Sequence, residues 1–309
     1  MTSLNRLRQP EFDLVHELLE ALTPERFVRA VDLIETAAAQ GDAEAICQLA
    51  TIEAVGAGRV RNFGKAFALL RRAAALGSWH AKRQIELLGG AERLDTSALL
   101  TLPEKRILSE SPLIRAIEGF FAPEVCDWIV ERSREKLGPA MIWDVESGAG
   151  KVDPSRTNSA AELRLNDMDV VLAVERARIS AATRLPEPVF ETPQVMRYTV
   201  GQQFRVHHDY LDPARPGHAL DIQQRGQRIG TFLVYLNDDF DGGETEFPKA
   251  GISFRGRKGD ALFFANVSRT NQPDPRSIHA GKPPTSGEKW ILSQWIRDRA
   301  PSMSPAPQG

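Results

Sequence analysis

The sequence predicts an α+β protein in which a helical N-terminal region precedes a region rich in short strands. Residues 11–89 contain five segments whose apolar residues recur with helical spacing. From Gln194 onward, short runs of β-branched and aromatic residues alternate with Gly, Asp, Asn and Pro. Many short strands separated by such turns favour a sandwich, jelly roll or barrel over a parallel sheet.

Composition is that of a globular protein and argues against several functional classes. Of the 309 residues, 42% are hydrophobic and 26% are charged, which suits about two domains. The net charge of -2 offers no basic excess for nucleic acid, and no apolar run is long enough for a transmembrane helix. We therefore expect neither a nucleic-acid partner nor a membrane partner.

Helices are predicted one after another along the N-terminal region. They span residues 11–22, 26–40, 43–55, 64–77 and 79–89. The stretch AAAQGDAEAICQLA at 37–50 is similar to AAALGSWHAKRQIE at 73–86, a period of about 36 residues that is typical of helix-pair solenoids. Residues 26–90 resemble the Sel-one-like subclass of tetratricopeptide repeats. Two interpretations stay open: a helical bundle that braces the remaining protein, or a surface that binds a protein partner.

The remaining chain is predicted to contain a connector, two helices and a set of strands. Further helices are predicted at 121–137 and 166–186, and strands at 194–200, 231–237, 252–256, 261–267 and 289–296. The predicted organisation is a helical repeat region at 1–95, a linker at 96–112, a second domain at 113–300 and a disordered tail at 301–309.

A candidate metal-binding motif lies in GQQFRVHHDY at 201–210. Side chains two residues apart on a strand point to the same side, so His207 and Asp209 can direct an imidazole and a carboxylate at one point, whereas His208 points away. His279, in DPRSIHAG, is the best candidate for a third ligand. Two histidines and one carboxylate leave coordination positions open, which is the arrangement of non-haem iron(II) oxygenases.

A lysine ten residues beyond His279 adds to this interpretation. If 289–297 is a strand, Lys289, Ser293 and Trp295 share one face. A lysine that faces the interior is costly to bury unless it meets an anion, and a dicarboxylate co-substrate would supply one. A solvated lysine on a strand is the alternative.

Four motifs follow one another in the second region. They are QVMRYTVGQQFRVHHDY at 194–210, RIGTFLVYLNDDFDGGETEFP at 228–248, GDALFFANV at 259–267 and DPRSIHAGKPPTSGEKWILSQWI at 274–296. Together they resemble the prolyl 4-hydroxylase-like branch of the iron(II)- and 2-oxoglutarate-dependent dioxygenases, and SRTNSAAE at 155–162 is similar to that family's arginine-threonine-serine loop. The resemblance covers about residues 113–298 and implies a double-stranded β-helix, a jelly roll with flanking helices.

The resemblance also implies roles for individual residues. By motif position, the iron ligands are His207, Asp209 and His279. Lys289 would pair with the distal carboxylate of 2-oxoglutarate, and Tyr198 would hydrogen-bond this co-substrate. Tyr235 would either help at the same carboxylate or be a core tyrosine. Arg228 matches a position that touches substrate, although a surface arginine is an open alternative.

The implied activity is hydroxylation of an unactivated carbon with Fe(II), 2-oxoglutarate and O2, releasing succinate and CO2, with L-ascorbate to rescue oxidised iron. Peptidyl proline is the expected target, so a protein or peptide substrate is expected, and the helical repeats could hold it. A free amino acid or small metabolite is an alternative substrate. An alternative of another class is a repeat-based adaptor whose oxygenase domain is inactive or only senses 2-oxoglutarate. A zinc hydrolase is a further alternative.

A cytoplasmic location is expected from three features of the sequence. The N-terminus lacks an apolar signal-peptide run. Cys47 and Cys126 form neither a disulfide framework nor a metal-binding spacing, which fits a reducing compartment. Lys282 stands where many relatives carry a cysteine, so the pairing found in secretory-pathway relatives is absent.

Overall fold

The computed structural model describes residues 23–144 and 149–301, so the helix predicted at 11–22 and nearly all of the predicted tail lie outside the described residues. Within these ranges, the chain forms two compact units. The helical unit comprises the residues up to Thr101 together with Leu163–Ala181. The β unit comprises Leu102–Glu162 and the residues from Ala182 onward.

The described secondary structure is mainly helical before residue 100 and mainly β afterwards. The helices are α1 Pro24–Ala39, α2 Ala43–Val55, α3 Phe63–Ala75, α4 Trp79–Leu87, α5 Thr96–Leu99, α6 Pro123–Arg134, α7 Val170–Thr183 and α8 Pro216–Arg225. The strands are β1 Lys105–Glu110, β2 Leu113–Ile117, β3 Gly138–Pro139, β4 Met141–Asp144, β5 Ala149–Val152, β6 Ser159–Glu162, β7 Gln194–Tyr198, β8 Phe204–His207, β9 Arg228–Tyr235, β10 Asp241–Gly242, β11 Thr245–Phe247, β12 Ile252–Phe254, β13 Ala261–Ala265, β14 His279–Gly281, β15 Pro284–Ser286 and β16 Lys289–Arg297.

In the helical unit, α1 to α4 begin and end within two residues of the predicted bounds. The two similar sequence stretches have equivalent caps. Asp42 Oδ1 accepts a hydrogen bond from the Ala45 amide (2.7 Å), and Ser78 Oγ accepts one from the Ala81 amide (3.1 Å). These caps satisfy amide groups that a helix start leaves without partners. Fully buried alanines lie along these helices and let them approach closely: Ala30, Ala45, Ala50, Ala54, Ala66, Ala73 and Ala81.

Most of helix α7 belongs to the helical unit, although the sequence analysis included it in the domain at 113–300. The first residue of α7, Val170, donates its amide hydrogen to Gln84 Oε1 on α4 (2.9 Å). Gln84 is buried, and its amide nitrogen also donates to Cys47 Sγ (3.4 Å). One glutamine thus joins α2, α4 and the start of α7. Sequence order could not reveal this side-chain contact.

The β unit contains two principal antiparallel sheets. The eight-stranded sheet has the order β1-β2-β13-β9-β16-β7-β6-β3, and the four-stranded sheet has the order β12-β11-β14-β8. Side chains from both sheets form one apolar core. Phe247 of the smaller sheet meets Phe264 of the larger one edge to face, with ring centroids 5.0 Å apart. This mixture of helices and antiparallel sheets agrees with the predicted α+β class.

Several strands lie where the sequence pattern predicts a linker or no strand. Strand β1 lies inside the predicted linker at 96–112 and pairs with β2 at the edge of the larger sheet. Edge strands such as β1 keep many side chains in solvent, so the alternation of apolar and polar residues is weak. Within the described ranges, no helix combines the length and apolar character needed to cross a bilayer.

Replacing Gln84 with leucine tests the hydrogen bond between α4 and the start of α7. Leucine keeps most of the volume but leaves the buried Val170 amide without its acceptor, which typically costs about 1–3 kcal/mol. We expect the free energy of unfolding to fall by this amount in urea denaturation followed by circular dichroism. Lys82→Leu, on the exposed side of α4, is the control and should change stability by less than about 0.5 kcal/mol. Equal stability of the two variants would contradict the assigned role.

Candidate metal centre

His207, Asp209 and His279 converge on one point in the β unit. His207 ends strand β8, His279 begins strand β14, and the two residues face each other across the antiparallel pair. Asp209 Oδ1 lies 3.5 Å from His207 Nε2, and Asp209 Oδ2 lies 3.5 Å from His279 Nε2. The potential ligand atoms of the three residues lie within 4.8 Å of one another. The predicted spacing therefore brings these three side chains together.

Hydrogen bonds fix the orientation of both imidazoles. His207 Nδ1 lies 2.7 Å from the carbonyl oxygen of Arg205, and His279 Nδ1 lies 3.0 Å from that of Ser277. Since a carbonyl only accepts hydrogen bonds, each Nδ1 carries the proton and donates. Each Nε2 faces the carboxylate of Asp209. Such outer contacts are typical of metal-binding histidines.

The carboxylate of Asp209 is buried and held from the larger sheet. Thr231 Oγ1, on β9, donates to Asp209 Oδ2 (2.7 Å), and Asn266 Nδ2 donates to Thr231 Oγ1 (3.0 Å). Burial alone raises the pKa of the Asp209 carboxyl, but His279, His207 and the Thr231 hydroxyl together hold this pKa below its usual range. Asp209 is therefore ionised at neutral pH.

His279 is kept neutral by its surroundings. Burial and the nearby His207 lower the pKa of His279 to about 4. Two phenylalanines surround its ring: the Phe264 centroid is 4.6 Å away and the Phe247 centroid 5.6 Å away. Phe204 stacks on His207 with centroids 3.4 Å apart. Neutral imidazole is the form that binds a metal ion, so His279 needs no proton loss to bind one.

A cleft of about 380 Å³ joins the three potential ligands to Lys289. Lys289, Ile291, Ser293 and Trp295 all line it, as expected for alternate residues of strand β16. Lys289 is only 1% exposed, and no hydrogen-bond or ion-pair partner for its amine exists among the described residues. Burial lowers the pKa of Lys289 to about 7. A buried amine without an anion is costly, so the cleft is suited to an anionic ligand.

The two predicted tyrosines lie on either side of this amine. Lys289 Nζ is 5.4 Å from the ring centroid of Tyr198 and 5.3 Å from that of Tyr235. Tyr198 lines the cleft, and its hydroxyl contacts Met196 Sδ at 3.7 Å. The Tyr235 hydroxyl is instead held in the core by Thr245 Oγ1 (2.8 Å) and by the Phe254 carbonyl (3.0 Å).

Two residues near Lys289 were not singled out from the sequence. Thr245 lines the cleft and is bonded to the Tyr235 hydroxyl, so Tyr235 contacts the cleft indirectly. Gly243 has a φ of +68°, and a Cβ at this position would lie 3.1 Å from Lys289 Cδ. The missing side chain leaves room for the lysine.

Arg228 lies beside the cleft and not among the residues that line it. Its Nε and Nη2 donate to the two carboxylate oxygens of Glu191 (2.7 and 2.9 Å). Its guanidinium stacks on Trp295, 4.2 Å from the ring centroid. Arg228 is thus occupied by protein groups, and Trp295 is the neighbouring residue that reaches the cleft.

Trp295 lines the cleft and Arg156 lies beside its ring, and neither was assigned a role from the sequence. Trp295 is 5% exposed, and its Nε1 has no hydrogen-bond partner among the residues described. The Arg156 guanidinium lies 5.8 Å from the Trp295 ring and 5.0 Å from the Phe204 ring. The signal available in the sequence was the place of Arg156 in the SRTN stretch and of Trp295 on the Lys289 face.

This donor set fits iron(II) and 2-oxoglutarate. Two imidazoles and one ionised carboxylate leave the other side of a metal ion free for a bidentate 2-oxo acid and dioxygen. The unpaired Lys289 amine lies in the same cleft, where it can meet the second carboxylate of a dicarboxylate. No thiol takes part, since both cysteines are buried in other parts of the fold.

Comparison with known proteins agrees with this chemistry. Residues 193–297 match the 2OG-Fe(II) oxygenase superfamily. Prolyl 4-hydroxylase 1 of Arabidopsis thaliana is 35% identical over 211 residues, which are 63% of this chain and 72% of the relative. Probable prolyl 4-hydroxylase 6 of the same plant is 35% identical over 212 residues, 62% of this chain and 72% of the relative.

Solved structures of prolyl hydroxylases also align with the chain. The 2OG complex of viral collagen prolyl hydroxylase from Paramecium Bursaria Chlorella virus-1 has 27% identity and a TM-score of 0.45, covering 60% of this chain and 95% of that one. A prolyl-4-hydroxylase of Pseudomonas putida has 17% identity and a TM-score of 0.40, covering 60% and 93%. From the extent of identity with the plant proteins and the match at 193–297, the chain belongs to the prolyl 4-hydroxylase family of the 2OG-Fe(II) oxygenase superfamily and is a 2-oxoglutarate-dependent dioxygenase that uses Fe(II) and O2.

Proposed function

We propose that this dioxygenase hydroxylates proline residues within a protein or peptide. The observation that carries the proposal is the shared cleft of His207, Asp209, His279 and the unpaired Lys289. The named activity of the plant relatives supports the choice of proline. When bound, iron(II) and 2-oxoglutarate supply oxygen activation, with the co-substrate leaving as succinate and CO2. The protein holds the reactants in place and limits the access of water.

We assign the co-substrate end of the cleft to Lys289 and its neighbours. The Lys289 amine pairs with the distal carboxylate of 2-oxoglutarate. Tyr198 and Thr245, which also line the cleft, offer hydroxyl groups there. Tyr235 acts by holding Thr245 through its own hydroxyl, a distance of 2.8 Å. The iron ligands in this proposal are His207, Asp209 and His279.

We assign the substrate end to Trp295. Its buried indole N–H lacks a partner among the described residues and can donate to a peptide carbonyl of the substrate. Arg228, predicted to touch substrate, is proposed instead to orient Trp295, because Glu191 holds its guanidinium on the indole ring. Arg156 supports the same ring from a distance of 5.8 Å.

The finer fold assignments belong to the same proposal. We interpret the two antiparallel sheets with a common core as a double-stranded β-helix, and α1 to α4 as Sel-one-like repeats. The complete ligand set and the unpaired lysine argue against an inactive adaptor. Ascorbate is expected to restore oxidised iron. A role of the helical unit in holding a protein substrate is also a prediction.

Asp209→Ala tests the metal assignment. Loss of the only carboxylate in the ligand set should abolish succinate release from 2-oxoglutarate in the presence of Fe(II), ascorbate and O2. Circular dichroism should show an intact fold. Glu118→Ala, at a carboxylate whose side chain is 76% exposed, is the control and should retain full turnover. Full activity of Asp209→Ala would exclude Asp209 as a ligand.

Lys289→Met tests the co-substrate assignment. Loss of a charge-assisted contact costs about 1.5–3 kcal/mol, so the KM for 2-oxoglutarate should rise roughly 10- to 150-fold. Binding of Fe(II) should be retained. Lys282→Met, at a lysine that is 48% exposed, is the matched control and should leave this KM unchanged.

The same lysine should make co-substrate binding depend on pH. Because the pKa of Lys289 is lowered to about 7 by burial, the free enzyme carries a neutral amine above pH 7. Binding of the dianion must then take up a proton, so the KM for 2-oxoglutarate should rise above pH 7 by up to about tenfold per pH unit. Lys289→Arg should remove this rise, because a guanidinium stays charged. A KM that is constant from pH 6 to 9, roughly one unit below to two units above this pKa, in the unaltered enzyme would contradict the assignment.

The proposed substrate class is tested by comparing proline-containing peptides with free L-proline. Peptides should stimulate succinate release and gain one oxygen on proline by mass spectrometry, whereas free proline should do neither. Trp295→Phe should raise the KM for the peptide while leaving the KM for 2-oxoglutarate unchanged. Stimulation by free proline alone would indicate a small-molecule hydroxylase instead.

A further inference from the structure

Two polar side chains, Thr231 and Asn266, are buried behind the metal centre. Thr231 lies on β9, Asn266 directly follows β13, and both are almost completely buried. The two strands are neighbours in the larger sheet. Neither residue lines the cleft. Any effect that these side chains have on the metal centre must therefore pass through their contacts with its ligands.

The chemistry of the carboxylate sets the direction of both hydrogen bonds. Thr231 Oγ1 lies 2.7 Å from Asp209 Oδ2, and an ionised carboxylate only accepts, so the hydroxyl donates its single hydrogen there. The Asn266 amide group lies 3.0 Å from the same hydroxyl oxygen and must therefore donate to it through Nδ2. This contact keeps the hydroxyl hydrogen of Thr231 directed at Asp209.

The other atom of the Asn266 amide has a feature that stability does not explain. With Nδ2 facing Thr231, Oδ1 is buried and has no hydrogen-bond partner among the residues that the structure describes. A buried acceptor without a donor destabilises a fold, whereas an apolar side chain of similar size would leave no such atom. The amide is therefore better explained by the bond that Nδ2 makes to Thr231 than by a contribution to folding.

The main chain of Asn266 leads to a second ligand of the metal centre. Its carbonyl oxygen accepts a hydrogen bond from the Asp274 amide (3.0 Å), and the Asp274 carbonyl oxygen accepts one from the Ser277 hydroxyl (2.8 Å). The Ser277 carbonyl oxygen in turn accepts from His279 Nδ1 (3.0 Å). Asn266 is thus connected to Asp209 through its side chain and to His279 through its main chain.

We propose that Asn266 is a positioning residue for the metal centre, which holds the Thr231 hydroxyl on Asp209 Oδ2 and so leaves Oδ1 as the oxygen that binds the metal ion. A carboxylate that binds through one oxygen keeps more coordination positions open for 2-oxoglutarate and dioxygen than one that binds through both. The inference rests on the proposed iron ligands and is independent of the choice of proline as the substrate.

Binding of Co(II) to the metal-free, full-length chain tests the proposal and is followed by the visible absorption of the bound ion. Thr231→Val removes the hydroxyl with little change in shape and should raise the Kd for Co(II) by about 10- to 100-fold, as is typical when a hydrogen-bond partner of a metal ligand is lost. Thr231→Ser keeps the hydroxyl and should leave this Kd nearly unchanged. Asn266→Leu removes the amide donor and should raise the Kd by about tenfold.

Comparing metal affinity with stability separates positioning from a purely structural role. Asn266→Leu removes the unpaired Oδ1 and keeps the main-chain contacts, so the urea midpoint of the metal-free protein should not fall although the Kd for Co(II) rises. Gln84→Leu, at a buried amide of the helical unit, is the matched control: its midpoint should fall and its Kd for Co(II) should stay unchanged. If leucine at position 266 prevents folding, Asn266→Ala removes the same donor and should raise the Kd by the same factor.

The two substitutions should not add, because Asn266 acts on Asp209 through Thr231. The double variant Thr231→Val/Asn266→Leu should bind Co(II) with the Kd of Thr231→Val alone. Additive losses, or an unchanged Kd in the Asn266 variants, would overturn the proposal. Asp209→Ala shows which premise is at fault. If this variant binds Co(II) as tightly as the unaltered protein, the ligand assignment itself is wrong. If it loses Co(II) while the Asn266 variants retain it, only the positioning role is wrong.

Discussion

Backbone pairing between β8 and β14 is the constraint on which the metal centre depends. It sets His207 opposite His279, with ring centroids 4.3 Å apart. A slip of one residue would direct one imidazole to the opposite face of the sheet, so the register is decisive. The Thr231 hydroxyl then holds Asp209 from the larger sheet (2.7 Å). The ligand set therefore depends on the packing of both sheets and not on a single loop.

The two charged side chains of the cleft, Asp209 and Lys289, do not pair with each other. Both are placed where they can contact a bound ligand. Asp209 is surrounded by donors, whereas the Lys289 amine has two tyrosine rings beside it and, among the residues described, no hydrogen bond and no ion pair within 4.0 Å. A protein selected only for stability would pair or remove such a lysine, because an unpaired buried charge is costly. Its retention is explained by an anionic co-substrate. The room that Gly243 leaves beside it is part of the same arrangement.

Local sequence signals were sufficient for most of the helices but not for the residues against which they pack. Helix α2 was predicted with its observed bounds, because Asp42 caps its start and a glycine follows its end. Helix α7 was also recognised as a helix, yet its packing depends on Gln84, far away in the chain. Strand β1 and helix α8 were missed, since exposed edge strands and short polar helices have weak periodicity.

The sequence alone determined the α+β class, the three potential metal ligands, Lys289 and the face it shares with Trp295. Strand periodicity and the order of four motifs carry that information within short stretches of the chain. Only the tertiary structure decided that Tyr235 is held in the core, that Glu191 binds the Arg228 guanidinium, and that the indole N–H of Trp295 has no partner among the described residues. Hydrogen-bond partners distant in sequence are set by packing, which no local pattern encodes.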